Sequence, residues 1–530
     1  MTATMTPYRS GVEAGRAGFR QVLRAEWTKF RTVRGWVIGT AVALLVMVLL
    51  GLVTGLGSHS SYNTGPGTPD IVGHPPVPTG PDGEAVTDGF YFVHRSLAGD
   101  GSITARVTSL TGSRMPQGQD PTAPSTPEPA EVQPWAKAGL IIKENTAQGS
   151  AYAAIMVTGA HGVRMQHNYT GDTAGPAGTV SMDSPRWLRL TRTGDTVTGY
   201  ASTDGTTWTT VGTVRLAGLP ATVPAGLFAT SPRQENVTQH LGGGGQVVGS
   251  AALATARFDT VDLGGGWSGG GWSGDAIGTG DDEPALRSAS GFQQSGDSLT
   301  VTGAGDIAPD PAGSGDTIEQ TLAGAFATLT VMVVIGVLFI TGEYRRGMIR
   351  TSLAASPRRG HVLAAKAVVI GAVTFVVSLV AVAVTIPLTE HFLRVNGNFI
   401  YPITGLTQVR VVAGMAALLA VAAVFALAVG TILRRSAGAV ATVIVLIVLP
   451  YILATAGVLP AGPSQWLLRI SPAAGFAIQQ SIPAYPQVGR VFTPAFGFYP
   501  LAPWAGFAVL CSWTALALAA AAYLLRRRDA

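Results

Sequence analysis

The chain has 530 residues, of which 47% are hydrophobic and 12% charged, and a formal net charge of +5. So little charge at this length is unusual for a soluble protein and points to the bilayer. The basic residues cluster beside apolar runs rather than interleaving with aromatics in one domain, which excludes nucleic acid as a partner, and the single cysteine, Cys511, excludes an intrachain disulfide and a cysteine metal cage.

Residues 1–35 carry "GFRQVLRAEWTKFRTVRGW", in which Phe19, Val22, Leu23, Trp27 and Phe30 can share one helical face while arginines take the other. This predicts an amphipathic helix lying at a membrane surface. Six runs are long and apolar enough to cross a hydrocarbon core about 30 Å thick. They are Trp36 to Gly57, Leu322 to Gly342, Val362 to Leu388, Val411 to Leu433, Ala437 to Leu459 and Leu501 to Leu525. The first exceeds a usual signal-peptide core and has no small-x-small cleavage site before the polar region, so it reads as an uncleaved anchor.

Lysine and arginine near the span ends set the orientation. Arg20, Arg24, Lys29, Arg31 and Arg34 precede the first span; Arg345, Arg346, Arg350, Arg358 and Arg359 follow the second; Arg434 and Arg435 follow the fourth; Arg526, Arg527 and Arg528 follow the sixth. All then fall on one side, so a multi-pass protein of the plasma membrane is predicted, with both termini cytoplasmic and the segment after the first span outside. Arg410, near the outer end of the fourth span, is the one exception, and its side chain can snorkel. No mid-membrane carboxylate relay of the kind an ion-driven carrier needs is evident, so the energy for any transport must come from elsewhere.

Between the second and third spans, "GEYRRGMIRTSLAASPRRG" (342–360) places Met348, Ile349 and Leu353 at helical spacing, with Thr351 and Ser352 facing away and Pro357 ending the run. A second short amphipathic helix at the membrane face is predicted there.

These residues resemble the ABC-2 type permeases of ATP-binding cassette transporters. The resemblance rests on "LRAEWTKFRTVRGW" before the first span, on the 342–360 stretch followed by Lys366, on the six-span layout and on the basic C-terminus, and it covers somewhat over half of the chain. It implies that the loop at 343–361 couples to a separate ATPase, a role that falls on Glu343, Arg345, Arg346, Gly347, Arg350, Arg358 and Arg359. It also implies a permease dimer with two ATPase subunits. The sequence has no G-x-x-x-x-G-K-[ST] phosphate loop, so the chain brings no cofactor of its own and ATP with Mg belongs to the partner.

The departure from that pattern is the stretch between the first two spans. Residues 58–87 are rich in Gly, Pro, Ser, Thr and His and read as a linker. From 88 to 263, short runs such as "GFYFVHR", "GLIIKE", "RWLRLTRTGDTVTGYAS" and "ATARFDTVDL" alternate with turns, which predicts an all-β sandwich. "KAGLIIK", "WLRLTRTGDTVTGYASTDGTTW", "AGLFATS" and "ATARFDTVDL" resemble the concanavalin-like or laminin-G-like jelly rolls of secreted proteins. That resemblance implies the fold and leaves function open, because jelly rolls serve as lectins, enzymes and spacers alike.

Glycosidase chemistry needs two carboxylates across a cleft; Asp100, Glu131, Glu144, Asp183 and Asp195 instead stand beside turns and strand ends, where solvated acids are ordinary. A cell-envelope glycan could stack on Tyr91, Trp135, Tyr152, His161, His167 or Tyr169, against the alternative that these aromatics pack the sandwich. His161 and His167 lack a third ligand at zinc spacing. Residues 264–316 open with a Gly-Gly-Gly-Trp-Ser repeat, which reads as flexible, and continue into a small β patch, "SGFQQSGDSLTVTGAGDI", expected as a hairpin near the outer mouth of the bundle. Helices two to six occupy 317–530.

The fold class is therefore a polytopic α-helical membrane protein with about six transmembrane helices and a large extracytoplasmic jelly-roll sandwich between the first two. The leading function is an ABC permease, an exporter, driven by a separate ATPase subunit. The alternative is a membrane-anchored glycan-binding or sensing protein, although an anchor needs only one span. Charge-free spans favour a hydrophobic or amphipathic solute such as a lipid or drug, whereas the resemblance to ABC-2 permeases leaves polysaccharides open as well.

Overall fold

The computed structural model describes residues 18–62, 71–116, 126–239, 245–278, 284–310, 315–348, 358–456, 459–488 and 497–528. Six helices in it are long and apolar enough to cross a membrane: Arg34–Gly57, Ala325–Arg345, Arg359–Val395, Gly405–Leu433, Ser436–Thr455 and Pro503–Arg527. The third has 37 residues, which at about 1.5 Å per residue is far longer than a bilayer core needs, so it projects beyond the membrane. The fifth carries a π-helical turn at Ile444–Val448 just before Pro450, whose missing N–H and ring disrupt the regular helical ladder. The second and fourth spans are the bundle's core, with Leu329, Val333 and Val337 packed against Met415, Leu419, Ala422 and Ala426. The first and last keep apolar residues such as Val53, Leu49 and Leu516 exposed, as a lipid-facing surface requires.

Between the first two spans stands a β-sandwich of thirteen paired strands. Its frame is a pair of long antiparallel strands, Phe90–Arg114 and Ala252–Ile277. The first bends at Gly99, where φ is +65°, so that residues 91–98 pair with Thr222–Thr230 while residues 101–107 pair with Arg186–Thr193. One strand thus serves both sheets. Alternate residues point inward: Ile103, Ala105 and Val107 meet Leu188, Leu190, Val197 and Ala201, with Leu140, Ile155 and Leu227 opposite.

Two expectations for this region are corrected. The Gly-Trp-Ser repeat is not a flexible linker; it is the second half of the strand Ala252–Ile277, with register shifts after Gly265 and Ser268. Glycine is required there because the strand crosses the bend of its partner: a Cβ on Gly266 would lie 1.8 Å from the Ala98 carbonyl oxygen. Trp267 anchors it by donating its Nε1 hydrogen to the Ser102 carbonyl at 2.9 Å. The hairpin Gly291–Ser295 with Ser298–Ala304 exists, but it joins the sandwich sheet through the same long strand rather than sitting at the mouth of the bundle.

The 58–87 segment is likewise more than a tether, since Val86–Asp88 pairs with Ile307–Pro309 to close the sandwich base. Ser58 and Asn398 exchange hydrogen bonds, and Asp316 pairs with Ile400, so both ends of the insertion are fastened to the connector between the third and fourth spans.

Segment 459–488, between the fifth and sixth spans, has no apolar run long enough to cross a bilayer. It forms a helix at Ala461–Ile470 and a 3-10 turn at Pro472–Gln479 whose residues are all buried. Gly475 packs on Leu510, Gly506 on the Ala474 carbonyl and Phe476 stacks on Phe326 at 5.0 Å, so this segment dips into the bundle from the sandwich end and returns. Non-helical backbone at that depth is stable because protein surrounds it.

Candidate functional site

The amphipathic helix expected at the N-terminus runs Phe19–Thr32 and turns into the first span at Val33. Its inward face differs from the expected apolar stripe: Glu26 and Phe30 are buried, whereas Trp27 and Phe19 are exposed. Phe30 stacks on Trp36 at 6.0 Å and meets Phe339 edge-on at 5.8 Å, which locks the bend. One turn earlier on the same face Glu26 enters the protein interior, and the partly exposed Lys29 reaches in beside it.

There they meet a lysine and a glutamate from the spans. Lys366 Nζ, fully buried, lies 2.7 Å from Glu26 Oε2 and 2.8 Å from Glu343 Oε1. Lys29 Nζ closes the ring, 2.8 Å from Glu26 Oε1 and 3.1 Å from Glu343 Oε1. Lys366 also sits over the Phe339 ring at 4.6 Å. Two carboxylates and two ammonium groups balance in charge, which allows Lys366, Glu26 and Glu343 to remain out of water while the partly exposed Lys29 closes the ring from the solvent side. The network joins three separate elements: the N-terminal helix, the last turn of the second span and the first turns of the third.

Around this network the basic ends of the helices gather. Arg359 donates to the terminal carbonyls of the last span at Leu525 and Arg526, both at 3.1 Å, where a cation complements the helix dipole. Arg434, in the left-handed conformation that ends the fourth span, lies over the Tyr344 ring at 5.0 Å. Thr341 and Ser436 share a hydrogen bond at 2.8 Å. The opposite end holds more cations than Arg410 alone: Arg394 pairs with Glu390 at 3.2 Å, Arg410 donates to the Gln480 carbonyl at 2.6 Å, and Arg469 lies over Trp466.

The residues assigned to the 343–361 loop therefore divide into two groups. Glu343 is buried in the ion network. Arg345, Arg346 and Gly347 leave it exposed, and Arg358 is exposed where the chain returns. Arg350 and the expected amphipathic helix with Ile349 and Leu353 lie outside the described residues. Lys366 stood out in the sequence beside the loop, but Glu26 did not; its signal was a lone acid in a basic helix ahead of a span, the complement of a lone lysine inside an apolar run.

The aromatic set considered for glycan stacking does not assemble. Tyr152 and Tyr169 are both 0% exposed, edge-on at 4.9 Å in a second core with Phe90, Phe92 and Phe228. The Tyr169 hydroxyl donates to Asp88, which also pairs with buried Lys143 at 2.8 Å; burial pushes the tyrosine hydroxyl far up and the lysine down. Trp135 is covered by a stacked His161 at 4.0 Å, His167 is half-buried against Gly171, and Tyr91 packs on Phe292. These side chains hold the sandwich together.

A multi-pass membrane protein, with an ion network binding its basic helix ends at one side and a β-sandwich fastened to the other, is the class that fold and site define. Residues 206–530, more than half of the sequence, match the family described as ABC-2 family transporter protein, and the chain belongs to that family. It is thus a membrane transport component. No protein of curated function matches this sequence. Among solved structures, a functionally unknown protein from Saccharomyces cerevisiae is similar at 12% identity over 39% of this chain and 96% of its own, with a TM-score of 0.21. Scytalido-glutamic peptidase bound to a transition-state analogue inhibitor is similar at 9% over 40% and 98%, TM-score 0.22. A GH43 protein from Bacillus licheniformis is similar at 16% over 31% and 27%, TM-score 0.17. At such scores none of the three carries an argument about activity.

Proposed function

We propose that this chain is the permease subunit of an ABC exporter in the plasma membrane, driven by a separate ATP-binding cassette ATPase that holds ATP and Mg and docks on the 343–361 loop. The network end of the bundle, with both termini, faces the cytoplasm, the sandwich faces outward, and two permease subunits pair. One observation carries the reading: the loop is rooted through Glu343 in a buried network that also grips the N-terminal helix and the third span. A force on Arg345, Arg346 or Arg358 is then delivered to three elements at once, and a charge-balanced cluster with a few discrete pairings suits a two-state bundle. Glu343 and Lys366 act in this scheme as positioning residues, and the exposed arginines as the docking surface.

The test is co-purification of the full chain with candidate ATPase subunits. Arg345→Glu/Arg346→Glu should lose the ATPase while the protein still inserts with wild-type topology. Equal recovery from wild type and the charge reversal would reduce these arginines to topology signals and overturn the docking assignment.

A further inference from the structure

The sequence holds no acidic residue between Glu390 and Asp529, so the arginines of that stretch have few carboxylates to meet. Several find other partners: Arg394 pairs with Glu390 itself, Arg410 donates to a backbone carbonyl, and Arg434 lies over a tyrosine ring. Arg469 is different. Among the described residues no carboxylate lies within ion-pair distance of it and it donates no hydrogen bond; its guanidinium has the Trp466 ring as neighbour, 5.4 Å away. Its nitrogens are not enclosed by protein either.

The position of Arg469 says what faces it. It stands in the last turn of Ala461–Ile470, the helix that descends into the bundle from the sandwich end. Leu468 and Ser464 point inward, while Trp466 and Ile470 on the other side are 61% and 62% exposed. The Trp513 indole N–H donates to the Ile470 carbonyl at 2.9 Å, and Trp513 lies ten residues into the last span from Pro503. That is about 15 Å along the span, so for a 25-residue helix centred in a core about 30 Å thick Ile470 ends about 10 Å inside the hydrocarbon. The outward side of the descending helix therefore faces lipid, continuous with exposed Trp513 and Leu516 of the last span.

Helical side chains lean towards the N-terminus of their helix, so Arg469 reaches back past Trp466 towards the headgroups on the sandwich side. Exposed Trp504, at the start of the last span, marks the level of those headgroups. A lipid-facing arginine without a protein acceptor is costly unless the membrane supplies an anion, and the anion at that level is a phosphate. The planar guanidinium matches two phosphate oxygens, and the Trp466 ring holds it in place.

We propose that Arg469, with Trp466, binds the phosphate of a glycerophospholipid in the sandwich-side leaflet, whose acyl chains lie along the descending helix and the last span. The site depends on the membrane placement of the bundle and not on the direction of transport or the ATPase.

The test uses the full chain in an uncharged detergent, with bound lipid counted by native mass spectrometry. The probes are phosphatidylglycerol, the diacylglycerol with the same acyl chains, and glycerol 3-phosphate. Wild type should hold one phosphatidylglycerol per chain that Arg469→Gln binds about tenfold more weakly, and Arg469→Lys should recover most of that affinity. Diacylglycerol and glycerol 3-phosphate, each lacking one half of the ligand, should bind about tenfold more weakly than the whole lipid. Trp466→Ala should weaken binding about threefold and gives a second reading should Arg469→Gln fail to fold. Neither variant removes a protein hydrogen bond, so both should keep the wild-type melting temperature in lipid-free detergent. Equal phosphatidylglycerol retention by wild type and both variants, or wild-type retention of diacylglycerol or glycerol 3-phosphate equal to that of the whole lipid, would overturn the site. So would loss of a dimer in either variant without added lipid, because the face would then belong to a second copy of this chain.

Discussion

Lys366→Met removes the most deeply buried cation of the ion network. The Lys366 side chain is 0% exposed and its partners Glu26 and Glu343 are 3% and 4% exposed. Without it two carboxylates face each other with only Lys29 between them, and that side chain is 38% exposed and partly screened by water. Removing one partner of a buried pair costs about 3–5 kcal/mol, because the charge left behind stays buried. Methionine keeps the apolar volume against Phe339, so cavity formation adds little. Glu343→Gln should cost less, since Lys366 keeps Glu26. The double variant Glu343→Gln/Lys366→Met removes one charge of each sign and leaves Glu26 with Lys29, a neutral pair three residues apart on one helix. Its cost should therefore fall short of the sum of the single costs by about 1–3 kcal/mol. Lys29→Ala should cost about 1 kcal/mol or less. Reversible unfolding of the full chain in detergent, read for all four variants, gives the cycle; ATPase stimulation in the assembled complex gives the coupling. Additivity of the two single changes within about 0.5 kcal/mol would refute the network as a unit.

In the sandwich, Gly266→Ala drives a methyl into the Ala98 carbonyl and should destabilise on the order of 3 kcal/mol, whereas Gly270→Ala, with nothing within 4 Å of its Cβ, should change stability by about 0.5 kcal/mol or less. Melting followed by the fluorescence of the neighbouring tryptophans separates the two, and equal melting temperatures would return the repeat to a linker. At the hairpin turn, Asp204 accepts from the Thr207 and Thr206 backbone N–H groups and from Ser202, which hold its carboxyl below its ordinary range. A depressed folded-state value means stability that is present above the unfolded value of 3.8 and lost as pH falls below it. Asp204→Asn should then lower the melting temperature at neutral pH, and its difference from wild type should shrink in acid.

The six spans were legible because a bilayer demands about twenty apolar residues in a row and little else in a sequence produces that pattern. The sandwich was legible from short strand-like runs bounded by turns, such as "KAGLIIK", whose seven residues are all buried because both faces of that strand are covered. Composition misled where one residue type serves two opposite ends. Glycine in "GGGWSGGGWSG" signals freedom when nothing is near, but here it permits the close crossing of two long strands, and only the partner's bend at Gly99 reveals that. Tyr152 and Tyr169 have the make-up of a sugar platform, yet the Asp88 and Lys143 that fix Tyr169 inside come from other strands. The segment that dips into the bundle escaped because its helix has ten residues and its remaining backbone is proline-punctuated. Such a segment is stable at depth only through contacts with Leu510, Phe326 and Gly414.

The way the insertion is fastened bears on how a sandwich and a bundle can work as one machine. A domain hung on two flexible linkers would report nothing of the bundle's state. Here the chain leaves the first span at Ser58 and returns at Asp316, and both points bind the same short connector. Asn398 donates to the Ser58 carbonyl at 3.0 Å, and Asn396 donates to the Gly55 carbonyl at 2.9 Å. Asp316 donates its N–H to the Phe399 carbonyl at 2.7 Å and accepts from the Tyr401 N–H at 3.1 Å. Gly397, at φ +81°, lets that connector pass so close to Gly73 that a Cβ would lie 2.5 Å from the Gly73 nitrogen. The connector follows directly from the third span, whose other end holds Lys366 in the ion network. A displacement of that 37-residue helix, begun where Glu26 and Glu343 grip it, would therefore move the base of the sandwich with it. One helix, interrupted in its regular bonding only at Pro387, thus spans the distance between the ion network and the base of the sandwich.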